Sequence, residues 1–290
     1  KKIKKVESER NQKIRLAVRV PPTLEDSRRV GLDIETWMTE ELVDVVIVGG
    51  GFIPFETPVK DFVDIGSKYN IQVYGCIEGL RHVDEKHLRA LASLYWQAGA
   101  SGIYLYNFFT MPTEWNERIL NQISNPKNLE NLDKRYELSS TGPFFPTGGH
   151  SSAFRYASPS AQLPLTLHPT LLNKGSILFF NITDDLKISS SDGSLSKCIL
   201  TLKFEEFPES QQLNIYLNNQ CIPWDSSHVN RDGWTRLIRA PKAEGTTTPT
   251  YPVEIHQPGI SIEYEVKYPL LKQGKNELEI RLSPNKTQSD

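Results

Sequence analysis

Apolar residues in the first half of the chain fall into two textures: short unbroken runs, and longer stretches where they recur every three or four positions. The first texture marks strands buried on both sides and the second marks the inner face of helices; their alternation is the pattern of repeated β/α units around a parallel sheet. Four strands are predicted, at Ile14 to Val20, Val45 to Gly50, Ile71 to Glu78 and Gly102 to Phe108. Between the first two, Thr23 offers an N-cap to a helical segment running to Leu42, with Val30, Ile34, Trp37 and Leu42 on its inner face. Thr57-Pro58 opens the next helix, whose inner face is Val59, Phe62, Val63 and Ile65, and Asn70 helps it stop. Asp84 caps a third that carries Leu88, Leu91, Ala92, Tyr95 and Trp96 at helical spacing before Gly99 ends it, and Thr113 to Ile123 forms a fourth.

From Ser139 to Pro169 the chain turns to Pro, Gly, Ser and aromatic residues, among them Phe144, Phe145, Phe154 and Tyr156. A stretch this aromatic is expected to pack along a boundary and not to swing as a tether. Beyond Leu171 the period becomes two. Ile177 to Ile182, Ile199 to Phe204, Leu213 to Leu217, Ile260 to Val266 and Leu278 to Leu282 read as strands, with turns at Ser191-Asp192-Gly193, Asn218-Asn219 and Gln273-Gly274-Lys275-Asn276. Short strands so punctuated predict an antiparallel β-sandwich, jelly-roll-like in character. The division expected is an α/β portion at 1–138, a packed connection at 139–169 and an all-β portion at 170–290.

Composition narrows the chemistry. At 290 residues with 38% hydrophobic and 23% charged side chains, the chain has the make-up of a folded protein. Its 33 basic and 35 acidic side chains leave a net charge of -2, so no strong field draws it to nucleic acid or to anionic membrane, and neither is expected as a partner. The basic start, Lys1, Lys2, Lys4 and Lys5, alternates with Ile3, Val6 and Glu7 as one exposed helix face does. No run approaches the roughly 20 apolar residues that cross a bilayer. Cys76, Cys198 and Cys221 lack zinc or redox spacing; the last two could meet in the all-β portion, but the expected reading is unpaired small core residues. His82 and His87 stand outside any zinc-binding pattern, Gly49-Gly50-Gly51 lacks the spacing and lysine of a phosphate loop, and no Gly-x-Ser-x-Gly elbow is present. No cofactor or metal is expected.

Four stretches carry a resemblance: Leu16-Ala17-Val18-Arg19-Val20-Pro21, Gly31-Leu32-Asp33-Ile34-Glu35-Thr36-Trp37, Val43-Asp44-Val45-Val46-Ile47-Val48-Gly49-Gly50-Gly51 and Gly102-Ile103-Tyr104-Leu105-Tyr106-Asn107-Phe108-Phe109. In order and spacing over about the first 120 residues, the chain resembles the bacterial glycosyl hydrolase family 10-like proteins. The resemblance implies that the four strands are the fifth to eighth of a (β/α)₈ TIM barrel, so that the chain is the C-terminal half of the barrel followed by a sandwich. It implies further that Lys1 to Arg10 are the tail of a fourth helix, that a missing N-terminal half-barrel is a partner, that the substrate is carbohydrate, and that the parent is an exported hydrolase.

In such an architecture function sits at the C-terminal strand ends, which here hold Arg19, Gly49 to Phe52, Glu78 and Asn107. Side chains alternate along a strand, so Gln72, Tyr74, Cys76 and Glu78 share one face. The resemblance makes Glu78 the catalytic nucleophile of a retaining glycosidase. Glycosidic cleavage needs two carboxyl groups, one to protonate the leaving oxygen and one to attack or to activate water. The second is then expected in the missing half, leaving this chain alone unable to hydrolyse. The structural alternative for Glu78 is a salt bridge to Arg19 or Arg81 that orders the rim. Arg19 either steadies Glu78 or binds a sugar hydroxyl or an acidic sugar, and Asn107 either donates to sugar or nucleophile or caps the following helix. Tyr74 and Phe52 lead the candidates for ring stacking on sugar, with Phe55, Phe108, Phe109 and Trp115 behind them, while Trp37, Tyr95 and Trp96 are assigned to packing. Trp224 and Trp234 form either a sugar platform or ordinary loop anchors. A non-catalytic glycan-binding or scaffold protein is the alternative to the enzyme.

Overall fold

The computed structural model describes residues 2–49, 57–79, 84–109, 111–138, 162–168, 175–240 and 245–283. An exposed helix, α1 (Lys2–Arg10), buries none of its residues and leads into β1 (Ala17–Val20). The segment predicted as one helix from Thr23 to Leu42 is two, α2 (Leu24–Arg29) and α3 (Ile34–Thr39). Thr23 caps the first as expected. Gly31, at φ 85°, then turns the chain, and Asp33 caps the second by accepting from the Thr36 N–H. After β2 (Val45–Val48) come α4 (Val59–Gly66), β3 (Gln72–Glu78), α5 (Glu85–Gln97), β4 (Gly102–Tyr106) and α6 (Thr113–Ile123). Asp84 caps α5 through the Lys86 and His87 N–H groups. A 3-10 turn at Pro126–Leu129 follows α6.

The four strands are parallel in the order β1-β2-β3-β4. Helices α3 to α6 bury Ile34, Met38, Phe62, Leu88, Leu91, Tyr95, Trp115 and Ile119 against one face, where Val20, Val46, Val48, Val73 and Ile77 point. Gly75 has no side chain on that face, and the Tyr95 ring occupies the space where one would stand. The opposite face receives none of those helices: Val45, Ile47 and Cys76 form a small buried cluster flanked by Tyr74, Tyr104 and Tyr106.

A short helix, α7 (Leu186–Ser191), interrupts the all-β portion between β5 (Ser176–Ile182) and β6 (Cys198–Phe204). The remaining strands are β7 (Leu213–Leu217), β8 (Gln220–Ile222), β9 (Ser227–Asn230), β10 (Trp234–Arg239), β11 (Pro252–Gln257), β12 (Ile260–Val266) and β13 (Gly274–Leu282). One sheet runs β5-β13-β7-β8 and another β6-β12-β9, and Leu178, Ile215 and Ile280 of the first share a core with Leu202, Ile262 and Tyr264 of the second. The pair β10-β11 stands apart as a two-stranded ribbon.

The expectation of a C-terminal half-barrel followed by a jelly-roll-like sandwich is therefore corrected. The four parallel strands form an open sheet with β1 and β4 at its edges, and among the described residues no further parallel strand extends it. The antiparallel strands divide among sheets of four, three and two. Apolar runs report that a strand is buried; they carry no information about whether its sheet closes or how hairpins distribute between sheets. Two smaller readings also change. The Gln273 to Asn276 turn is shorter than expected, because β13 begins at Gly274. Asn276 is fully buried, bonded to the Lys272 backbone and to Asn218. Trp224, in a 3-10 turn, stacks on Phe207 at 6.2 Å beside the second core, and Trp234 opens β10 with its ring against Gly259.

The 139–161 part of the predicted connection lies outside the described residues. Its segment 162–168 lies against the all-β portion: Gln162 bonds both the N–H and the C=O of Phe179, and Leu163 and Leu167 touch the second core. Just before the connection, Lys134, with a side chain only 4% exposed, pairs with Asp184 and donates to the Leu129 and Leu132 carbonyls. Tyr136 donates to the same carboxylate at 2.8 Å. Farther along, Glu137 faces His87 of α5 at 3.4 Å. Burial opposes its ionisation, but His87, Arg135 and Lys203 together hold its carboxyl well below the usual range. A line of charge thus stitches α5 and the segment after α6 to β6 and to the end of β5.

Candidate functional site

The site is built at the C-terminal end of β3, on the sheet face that α3 to α6 leave uncovered. Register fixes its neighbours: Cys76 lies beside Tyr104, and Glu78 beside Tyr106. Glu78 is the last residue of β3 and only 3% exposed, which is unusual for a carboxylate. The Asn107 amide donates to its Oε1 at 2.9 Å. Asn107 can do so because it takes a left-handed conformation, φ 59°, directly after β4, and asparagine tolerates that region better than most residues. The alternative of Asn107 as a helix cap does not hold, since Pro112 occupies the N-cap of α6 and Asn116 bonds the Phe108 and Met111 carbonyls of the intervening loop. Gly79 continues the strand pairing by donating to the Tyr106 carbonyl at 2.7 Å, and a side chain at Gly79 would strike the Phe108 ring.

Two guanidinium groups flank this carboxylate. Arg19, exposed on β1, extends across the face and lies 3.9 Å over the Tyr106 ring. It makes no ion pair among the described residues, so the salt bridge to Glu78 considered above is not formed, and Arg81 lies outside the described residues. Another cation near Glu78 is one the sequence did not suggest. Arg239, at the end of β10, donates to the Gly79 carbonyl, 160 residues away in sequence. Burial pushes its guanidinium below the ordinary value and the Glu78 charge pulls it back. Tyr251, on the stretch leading into β11, reaches α6 by donating to Glu114. The β10-β11 ribbon is thus laid from the all-β portion onto the mouth of the parallel sheet, with Leu237 against the first core. No local signal announces Arg239; only the pairing of a distant ribbon brings it here.

Of the other candidates, Tyr74 stands four residues before Glu78, roughly 13 Å down the strand at ~3.3 Å per residue. Its ring covers Gly102 and borders a cavity of about 290 Å³ against Trp96, Leu120 and Ser124. The structure does not bring Tyr74 to Glu78. Phe52, Phe55 and His82 lie outside the described residues. Phe108 is partly buried 6.3 Å from Trp115, itself in the core, and Phe109 is 79% exposed. Trp37 and Trp96 pack against the first core with Tyr95, as assigned.

The field around Glu78 reaches Cys76 beneath it. Burial pushes the Cys76 thiol up to about 12, with Arg19 opposing and Glu78 adding to the shift. A thiol so raised carries almost no thiolate at neutral pH and is no nucleophile. Titrating the native protein with Ellman's reagent at pH 8 is expected to modify the exposed Cys221 and to leave Cys76 untouched until urea is added. Rapid native labelling of Cys76 would show the face to be open to solvent at that depth.

A buried carboxylate held by an amide, with one guanidinium beside it and another resting on a tyrosine ring, can accept hydrogen bonds from hydroxyl groups or exchange a proton at one oxygen. The structure gives the same end of the sheet an aromatic wall in Tyr104 and Tyr106. The chain matches no known family model and none of the curated proteins with which it was compared, so the reading of this site rests on its own side chains.

Proposed function

We propose that the Glu78 site recognises carbohydrate and acts on the glycosidic bond in the manner of a glycoside hydrolase, with Glu78 as one of the two carboxyl groups that such chemistry needs. The observation that carries the reading is the Glu78 carboxylate itself, 3% exposed at a strand end and fixed by Asn107 at 2.9 Å. A buried carboxylate is costly to keep unless its neighbours hold it in a useful state. Asn107 fixes one of its oxygens and Arg239 stands near its charge, so the group is oriented where a carboxyl could attack an anomeric carbon or activate water. Tyr104, on the same sheet face, supplies a ring for the apolar side of a pyranose, while the Tyr106 ring carries Arg19.

The test is a panel of poly- and oligosaccharides assayed with the full-length protein for new reducing ends and, by calorimetry, for binding, with Glu78→Gln in parallel. Turnover is expected to fall by about 10²-fold in the variant, the low end of what a positioned acid or base contributes, while binding persists. Equal turnover in both proteins rejects the catalytic role. Binding without turnover in either moves the assignment to a glycan-binding protein. An absence of both, across the panel, removes the carbohydrate reading.

A further inference from the structure

Arg19 is the part of the site that the proposed chemistry does not use. An arginine usually meets a carboxylate or covers its charge with water; this one is exposed, pairs with no acid among the described residues, and is held 3.9 Å over an aromatic ring. Stacking on Tyr106 fixes the plane of the guanidinium while leaving its edge of N–H donors open, and that edge matches a carboxylate in two parallel hydrogen bonds. Tyr106 is also the register neighbour of Glu78 on the next strand. The anchored cation and the buried carboxylate therefore lie at the same end of the sheet, one on the Tyr106 ring and the other on the strand beside it. Arg239 adds a second guanidinium at the same mouth, its Nε without a hydrogen-bond partner among the described residues. Among the described residues, Arg19 and Arg239 bring two cations to the end of the sheet that holds the Glu78 carboxylate.

We infer that the glycan taken at this site carries a carboxylate, as a uronic acid does, and that Arg19 receives that group while the glycosidic bond lies toward Glu78. The inference rests on the carbohydrate reading above and adds the charge of the sugar to it. A neutral sugar offers the stacked guanidinium only hydroxyl acceptors, and a uronate offers an ion pair in place of water.

The experiment compares uronic acid oligomers with the same oligomers after chemical reduction of each carboxylate to a primary alcohol, so that the pair differs only in that group. Binding to the whole chain is measured by calorimetry at low and at raised salt, for the parent, Arg19→Gln and Glu78→Gln. The parent is expected to hold the uronide at least tenfold more tightly, with the preference shrinking as salt rises and falling to near unity in R19Q. Arg19 is exposed, and a melting curve checks that R19Q is folded. Equal affinity for the two oligomers overturns the inference; if E78Q still alters binding or turnover of the reduced oligomer, the carbohydrate reading survives that failure. A preference that persists in R19Q also overturns the role of Arg19. Binding of neither oligomer overturns this inference together with the reading beneath it.

Discussion

Replacing Gly75 by alanine is expected to destabilise the chain by about 3 kcal/mol, the upper end for overpacking a core. A Cβ at this position would stand 2.3 Å from Cδ2 and 2.5 Å from Cγ of Tyr95. The ring cannot withdraw, because Tyr95 is 1% exposed among Leu88, Leu91 and Ala92 of its own helix and the strand residues Val73 and Ile77. Either the ring rotates away from a favourable rotamer or α5 lifts from the sheet, and each loses contacts made by several neighbours. Urea unfolding would measure the loss, and Gly75→Ala/Tyr95→Leu is expected to recover at least about 1 kcal/mol of it through coupling of two touching residues. A midpoint for Gly75→Ala equal to that of the parent would show that the ring is not pressed on the strand.

Asp184→Ala is expected to cost a similar amount, about 3 kcal/mol, by a different route. It removes the only carboxylate paired with Lys134 among the described residues and leaves an ammonium that is 4% exposed with just two backbone carbonyls for company. Tyr136 loses an acceptor at the same stroke. Most of the loss comes from stranding a buried charge and not from the pair's own attraction. Lys134→Met/Asp184→Ala is accordingly expected to be more stable than Asp184→Ala alone, and thermal unfolding of the two proteins decides it. If the double variant is the weaker one, the pair's attraction outweighs the cost of burying the lysine.

Much of the α/β portion was legible because its strands are buried on both sides and its helices begin at side chains with capping oxygens. Val45 to Val48 can scarcely be anything but a central strand, and Asp84 announces α5. The break at Gly31 was missed because Val30, Ile34 and Trp37 keep an approximately helical interval across it, although Asp33 is as good a cap as Thr23. Strands β10 and β11 were missed for the opposite reason. None of their residues is fully buried, so selection for alternation has left little mark on Trp234 to Arg239. Sheet closure was misjudged because the pattern is the same for four strands in an open sheet and for four in a barrel.

The candidate site divides in the same way. Glu78 and Asn107 each stand at the end of a predicted strand, and a polar residue where a buried strand stops is a visible anomaly; their meeting follows from the neighbouring positions of β3 and β4. Arg19 was visible by position, but its resting place on Tyr106 was not, since two cations competed for one acid and sequence cannot rank them. Arg239 was invisible. Its contact with the Gly79 carbonyl spans 160 positions, and an arginine in a half-buried strand with no alternating pattern reads as a solubilising charge.

The ribbon that carries Arg239 makes the mouth of the parallel sheet a shared product of both ends of the polypeptide. The α/β portion expressed by itself would keep Glu78 and Asn107 yet lack the guanidinium that bonds the Gly79 carbonyl beside the acid. Shuffling the front half onto another β-rich partner would therefore transfer Glu78 and Asn107 without Arg239, and drift in β10 or in the connection to β11 would change the surroundings of Glu78 while leaving every residue of its own strand unchanged.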